Sequence, residues 1–202
     1  MERYEHLHRR DRLALVRRVK QERSLLLSAG EACQLLACLK ATDGVEGDVA
    51  ELGVAYGASA KLLSMKMPPG KRLLLFDTFD GLPAPGSVDG TRFSEGEFKT
   101  NLDYVRQYVG TDRVEYYQGL FPATAEPLSD RRFSFVHLDA DLYDSTMSAL
   151  EFFYARLLRG GMILCHDYPS ASGVVKAYED FFRDRTDPVI ELTGYQILMV
   201  KL

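Results

Sequence analysis

Cysteine is scarce: three in 202 residues (Cys33, Cys38, Cys165), an odd number set among apolar neighbours. That excludes a disulfide scaffold and reads as buried, reduced thiols. Long apolar runs are missing too. The nearest to a membrane span, Leu25–Leu39, contains Glu31 and Gln34 and falls short of 18 apolar residues, so no transmembrane helix is expected. An excess of charge of one sign is also absent. A formal net charge of −4 provides no electrostatic footprint for DNA or RNA, and no nucleic-acid partner is expected. The N-terminus is locally basic (Arg9, Arg10, Arg12, Arg17, Arg18), yet it lacks the apolar core of a signal peptide and carries Glu2, Glu5 and Asp11, which transit peptides avoid. It reads as a solvated helix face, with a subunit or anionic-ligand contact as the alternative, and the expected location is the cytoplasm. Repeats and low-complexity tracts are lacking as well.

What is present is ordinary for a folded chain. Hydrophobic content of 46% and charged content of 27% exclude wholesale disorder, and the length suits one domain that can bury a full core without staples. Short apolar runs alternate with amphipathic stretches. Leu13–Val19 reads as part of a first helix and Ala29–Lys40 as a second, its apolar residues recurring at i, i+3, i+4 and i+7. Strands are predicted at Gly47–Gly53, Lys71–Asp77, Arg113–Gln118, Phe133–Asp139 and Gly161–His166. Helices are predicted at Ser59–Met67, near Glu95–Tyr108, at Ser145–Leu158 and at Val174–Arg183. Val189–Leu192 and Tyr195–Lys201 flank Thr193-Gly194 as a hairpin. Strands spaced by helices imply an α/β fold with a mostly parallel, helix-covered sheet. Gly81–Gly96, rich in glycine and proline, is too long for an ordinary connection. It follows the C-terminal end of a strand, where open α/β sheets bind ligands, and reads as a lid, with disorder as the alternative.

Three constellations could carry chemistry. Glu51-Leu52-Gly53-Val54-Ala55-Tyr56-Gly57-Ala58-Ser59 passes from strand through glycines into a helix, whose N-terminus offers free N–H groups. Its G-x-x-x-G spacing lacks the middle glycine of the dinucleotide fingerprint, which disfavours a nicotinamide-dependent reductase. Asp77 closes the next strand, 24 residues after Gly53, where an acid can accept the hydroxyls of a nucleoside ribose; capping the following turn is the competing role. Asp139-Ala140-Asp141 and His166-Asp167 end two further strands. If those strands are neighbours, the carboxylates repel unless a cation or a shared proton neutralises them, so metal binding or acid–base work is expected. Helix capping competes here, and Asp144 and Ser145 have the look of caps for the helix that follows. His137, alternating with core residues, reads as a hydrogen-bonded core histidine; His6 and His8 are expected to be exposed. No serine-hydrolase elbow and no zinc motif is present.

The segments GDVAELGVAYGASAKLL, LLLFDTFDGLP, HLDADLYDSTMSALEFFYARLLRGGMIL and HDYPSASGVVKAYEDFF resemble the macrocin O-methyltransferase family over roughly residues 47–182. The resemblance implies a Rossmann-like, S-adenosylmethionine-dependent fold with a seven-stranded sheet whose last strand is antiparallel. Residues 47–202 would form that domain and 1–46 a helical segment packed on it. It also implies Mg²⁺-dependent methyl transfer to a hydroxyl, typically on a sugar of a natural product, and a homo-oligomer. Position by position, Glu51, Gly53, Tyr56, Gly57 and Ser59 fall in the cofactor turn. Asp77 matches the ribose acid with Thr78 beside it, and Gly119 to Phe121 match the adenine side. Asp139 and Asp167 match metal-binding carboxylates, Asp139 also facing the cofactor, and Asp141 matches a general base. The family often has two consecutive acids where this chain has His166-Asp167. Mg²⁺ prefers oxygen and imidazole suits Mn²⁺ or another transition metal, so both stay open. Other readings are methylation of a catechol-like or other vicinal diol, and a non-catalytic binding protein on the same scaffold.

Overall fold

The computed structural model describes residues 2–202, with side chains from residue 10 onward; the side chains of His6 and His8 lie outside the described residues. Six helices and seven strands alternate along the chain. Helices α1 (Glu2–Glu22) and α2 (Ala29–Ala41) precede β1 (Asp48–Leu52), α3 (Ala58–Lys66), β2 (Leu73–Asp77), α4 (Leu102–Val109) and β3 (Val114–Gln118). A short 3₁₀ turn leads to β4 (Phe133–Leu138), α5 (Tyr143–Arg156), β5 (Leu157–Cys165) and α6 (Ser172–Phe182), and the hairpin β6 (Val189–Glu191) and β7 (Ile197–Val200) ends the chain. The strands form one sheet in the order β3-β2-β1-β4-β5-β7-β6. The first five are parallel; β7 runs antiparallel to both β5 and β6.

The apolar runs of the central strands explain why both faces are covered. Alternation sends Leu73 and Leu75 to one face, with Val49 and Phe135, against α1, α2 and α3; Leu74 and Phe76 go to the other face, with Val136 and Leu138, against α5 and α6. The chain builds outward from β1 to β3 and then returns to the other side of β1 to lay down β4. That reversal leaves a crevice past the C-terminal ends of β1 and β4, the place where open parallel sheets bind ligands. Gly53 and Asp139 both line it and meet backbone to backbone at the strand ends.

Some boundaries differ from expectation. Helix α4 begins at Leu102, because Gly96 and Phe98 have left-handed φ and the segment before Asn101 is spent on closing the base of a loop. There Leu82 N–H donates to the Glu97 carbonyl (2.9 Å) and Gly96 N–H to the Leu82 carbonyl (2.9 Å). Helix α5 begins at Tyr143, with Leu142 at its N-cap and no cap from its own side chains, so neither Asp144 nor Ser145 fills that role. The cap comes from a distance: Asp89, in the 81–96 loop, accepts the Tyr143 N–H at 2.7 Å. Cys38 and Cys165 are buried, Cys33 is half-buried, and none forms a disulfide. Among the described residues no helix is long and apolar enough to cross a membrane.

Candidate functional site

The crevice is a cleft walled by the strand ends, the 81–96 loop and the turn after β3. Gly53, Ala55, Asp77, Thr78, Gly119, Phe121, Asp139, Asp141, His166 and Asp167 line it, and so do Leu26, Arg92, Phe93 and Leu120. A narrower extension, sharing Leu26, Gly53, Ala55 and Asp139, runs between the strap Ser24–Leu27 and the residues Tyr56 and Ser59. Glu51 is in neither wall. It is fully buried beside β4 and paired with His137 Nδ1 at 2.8 Å, and burial pushes its carboxyl up against the opposing pull of His137. His137 is thus the hydrogen-bonded core histidine expected from the pattern.

The two turn glycines answer to the backbone as well as to the cleft. Gly53 has φ +87°, and a Cβ there would overlap the Asp139 carbonyl oxygen, so glycine lets β1 and β4 close up at their ends. Gly57 has φ +83°, and its missing side chain makes room for Val105 and Val109 of α4. Asp77 ties this turn to β2. Its Oδ2 accepts the Val54 and Ala55 N–H groups (2.7 and 2.9 Å) and its Oδ1 the Phe79 N–H (2.6 Å). A carboxylate has about four lone-pair positions, and these three backbone donors leave little spare capacity beside Thr78. Burial raises the Asp77 carboxyl against those three donors and the neighbouring Thr78 side chain. The Thr78 hydroxyl donates to the Gly81 carbonyl (2.7 Å) and starts the loop. Phe121 stacks on Phe153 and meets Phe76 edge-on, giving the cleft a flat apolar wall beside Gly119.

At the other end of the cleft the acids converge. Strands β4 and β5 are neighbours, with Leu138 opposite Cys165, so Asp139 and Asp141 meet His166 and Asp167. His166 Nδ1 lies 3.1 Å from Asp139 Oδ1 and 2.9 Å from Asp167 Oδ2. One ligand atom each from Asp139, His166 and Asp167 lie within 4.8 Å of one another, a spacing that suits one divalent ion. Burial and the charges of Asp139 and Asp167 push the Asp141 carboxyl well above the usual range. Asp167 is also penalised by burial, but its contacts with His166 hold it below the usual range. Burial lowers His166, and the flanking carboxylates outweigh it and raise it to about 11. Asp141 and Asp167 both sit at φ +63°, and Ala55 and Phe98 of the cleft wall also have positive φ. Non-glycine residues in that region cost energy, and they collect where a site needs side chains aimed against local preference.

Four contributors were not legible from spacing. Arg92, on the loop, reaches Asp167 Oδ1 at 3.1 Å. Asp89, 5% exposed, fastens that loop to α5. Arg23 stacks on Tyr104 (3.6 Å to the ring centroid) and donates to the Tyr56 carbonyl, holding the strap over the glycine turn. Glu31 sits behind His166, 3.6 Å from Nε2. Only Glu31 left a local trace, as the fourth residue of a Ser28-x-x-Glu31 capping box.

A curated methyltransferase of Streptomyces olivaceus, an 8-demethyl-8-(2,3-dimethoxy-alpha-L-rhamnosyl)-tetracenomycin-C 4'-O-methyltransferase, is 33% identical over 171 residues, 75% of this chain. The chain spans 65% of that relative's length. Among solved structures, a calicheamicin methyltransferase superposes with TM-score 0.74 at 17% identity, covering 93% of this chain and 91% of its own. The O-methyltransferase NovP superposes with TM-score 0.71 at 20% identity, covering 83% of this chain and 78% of its own. At such identities these structures share the fold. The family model for macrocin-O-methyltransferase matches residues 32–195, from within α2 to the turn between β6 and β7, and the chain belongs to that family.

Proposed function

We propose that this protein is an S-adenosylmethionine-dependent O-methyltransferase acting on a hydroxyl of a sugar or similar small natural product, with a divalent metal at the acidic end of the cleft. The observation that carries the reading is the convergence of Asp139, Asp141, His166 and Asp167 on a cleft that the glycine turn and Asp77 also line. When bound, the cofactor supplies a methyl group on a positively charged sulfur, and a divalent ion supplies a Lewis acid for the acceptor hydroxyl. Asp139, His166 and Asp167 are the residues to hold the ion.

The chain's own residues divide the remaining work. The turn at Gly53–Gly57 offers the N-terminus of α3 to the cofactor's carboxylate, and Asp77, which lines the cleft beside that turn, is the acid to meet a ribose hydroxyl. Phe121 and Leu120 offer an apolar surface to the adenine. Asp141 is the base. A cation held by Asp139 and Asp167 would offset the repulsion that adds to burial in raising its carboxyl. The raised affinity for protons then suits a carboxylate that takes the proton of the acceptor hydroxyl as the oxygen gains the methyl group; the charge lost at sulfur is balanced by the proton gained at Asp141. Phe93 and Arg92 close the cleft from the loop and exclude water. Holding both reactants in attack geometry supplies most of the acceleration, and the base roughly 10²–10⁴-fold.

Calorimetric titration with S-adenosylmethionine, with NADH as control, tests the cofactor; an acceptor screen with glycosylated natural products in Mg²⁺ or Mn²⁺ tests the rest. Micromolar binding of the sulfonium cofactor alone is expected. Failure to bind it with or without metal removes the enzymatic reading.

A further inference from the structure

His166 is held from both sides. Its side chain is buried, and Nδ1 faces the carboxylates of Asp139 and Asp167. Nε2 points the other way, is buried, and has no hydrogen-bond partner among the described residues. Facing it at 3.6 Å is Oε1 of Glu31, itself 4% exposed. Glu31 is fixed in place by two other contacts: Oε2 accepts the Ser28 N–H at 2.7 Å and Oε1 the Tyr195 N–H at 2.8 Å. The β6–β7 turn approaches this closely because residue 194 is glycine, whose Cβ position runs into the Glu31 carboxylate. The Tyr195 ring then stands edge-on to the imidazole.

An imidazole that binds a metal does so through one nitrogen, and its other N–H is usually aimed at a carboxylate, which fixes the tautomer and the ring plane. The Glu31–His166 arrangement has that form: Nδ1 toward the cation-holding carboxylates, Nε2 toward Glu31. We infer that His166 is a nitrogen ligand of the site, that Glu31 is its positioning residue, and that the site takes a borderline transition ion such as Mn²⁺ in preference to Mg²⁺. The inference rests on the metal-dependent reading above. Mg²⁺ demands oxygen ligands in near-octahedral geometry, and replacing a carboxylate by imidazole in so small a donor set removes both charge and a hard ligand. Since Glu31 comes from α2, the helical segment ahead of β1 would set the metal preference of a centre built at the ends of β4 and β5.

The test is pulsed electron paramagnetic resonance of the full chain loaded with Mn²⁺, together with calorimetric titration of Mn²⁺ and Mg²⁺. The wild type should show a ¹⁴N coupling from coordinated imidazole, lost in His166→Asp. It should also bind Mn²⁺ at least about tenfold more tightly than Mg²⁺, a gap that narrows in His166→Asp. Glu31→Gln keeps a capping-box residue on α2 and should weaken Mn²⁺ binding about 10–100-fold. The same change made in His166→Asp should add almost nothing. A merely structural Glu31 would lower the melting temperature and leave the Mn²⁺ affinity and nitrogen coupling as they are. Wild-type protein that binds Mn²⁺ without nitrogen coupling, or binds Mg²⁺ equally well, overturns the inference and leaves metal dependence standing. Binding of neither ion overturns both, and the wild-type spectrum decides even if a variant fails to fold.

Discussion

Asp89 fastens the 81–96 loop to the body of the protein, and removing its carboxylate is the sharpest test of how that loop is held. Oδ1 accepts the first N–H of α5, at Tyr143, and Oδ2 accepts the Gly86 N–H, each at 2.7 Å. The carboxylate also packs so tightly against α6 that a Cβ at Gly173 would overlap Oδ1. Two charge-assisted bonds therefore end together in Asp89→Ala. Loss of a helix cap costs about 0.5–2 kcal/mol, and a hydrogen bond to a charged group contributes about 1.5–3 kcal/mol. Both N–H groups are only part-buried and water can take up part of the loss, so a total of about 2–3 kcal/mol is expected. For a chain of this size that lowers the melting temperature by roughly 4–12 °C. Denaturant titration gives the free energy, and amide exchange localises the effect, with faster exchange expected at residues 82–97 and in the first turn of α5 and near-normal exchange in β1 and β4. Asp89→Asn keeps one acceptor and should lose about half as much. A loss below about 0.5 kcal/mol for Asp89→Ala, or exchange that accelerates evenly across the sheet, would refute the argument that this one carboxylate anchors the loop.

Asp141→Asn should slow turnover by roughly 10²–10⁴-fold while calorimetry shows cofactor affinity nearly unchanged; wild-type turnover would show that another group takes the proton. Gly53→Ala places a methyl group on the Asp139 carbonyl oxygen at a φ of +87°, and neither backbone can give way cheaply. It should cost more than about 3 kcal/mol and abolish cofactor binding, whereas a variant that melts like the wild type would show that the strand ends can separate. Glu115 is penalised by burial, but the Tyr117 hydroxyl, Arg72 and Arg131 hold its carboxyl below the usual 4.5. A lowered carboxylate contributes stability above its unfolded value and loses it as the pH falls through the folded one. The stability gap between wild type and Glu115→Gln should therefore be constant near neutral pH and close in acid, and a gap indifferent to pH would contradict the ion-pair account.

Much of this architecture is set locally. The apolar runs of β1, β2 and β4 are bounded by charges or glycines and carry alternating large side chains to both faces, so strand identity and double-sided burial follow from the residues themselves. The hairpin at Thr193-Gly194 and the cleft-lining positions Gly53, Asp77, Asp139, Asp141, His166 and Asp167 were likewise legible, because acids and glycines stand where strands end. Tertiary structure decided what those residues do to one another. Adjacency of β4 and β5 is a property of chain crossover, and only that adjacency brings His166 between Asp139 and Asp167. Glu51 carries the same local signal as Gly53, yet strand alternation turns it into the core toward His137, away from the cleft. Asp144 satisfies the local rule for a cap, but Asp89 reaches the α5 N-terminus from 54 residues away. The same holds for Arg23 over the glycine turn, Arg92 on Asp167 and Glu31 behind His166. Spacing along a chain encodes period and punctuation, whereas contacts between elements depend on where the sheet order and the loops deliver them.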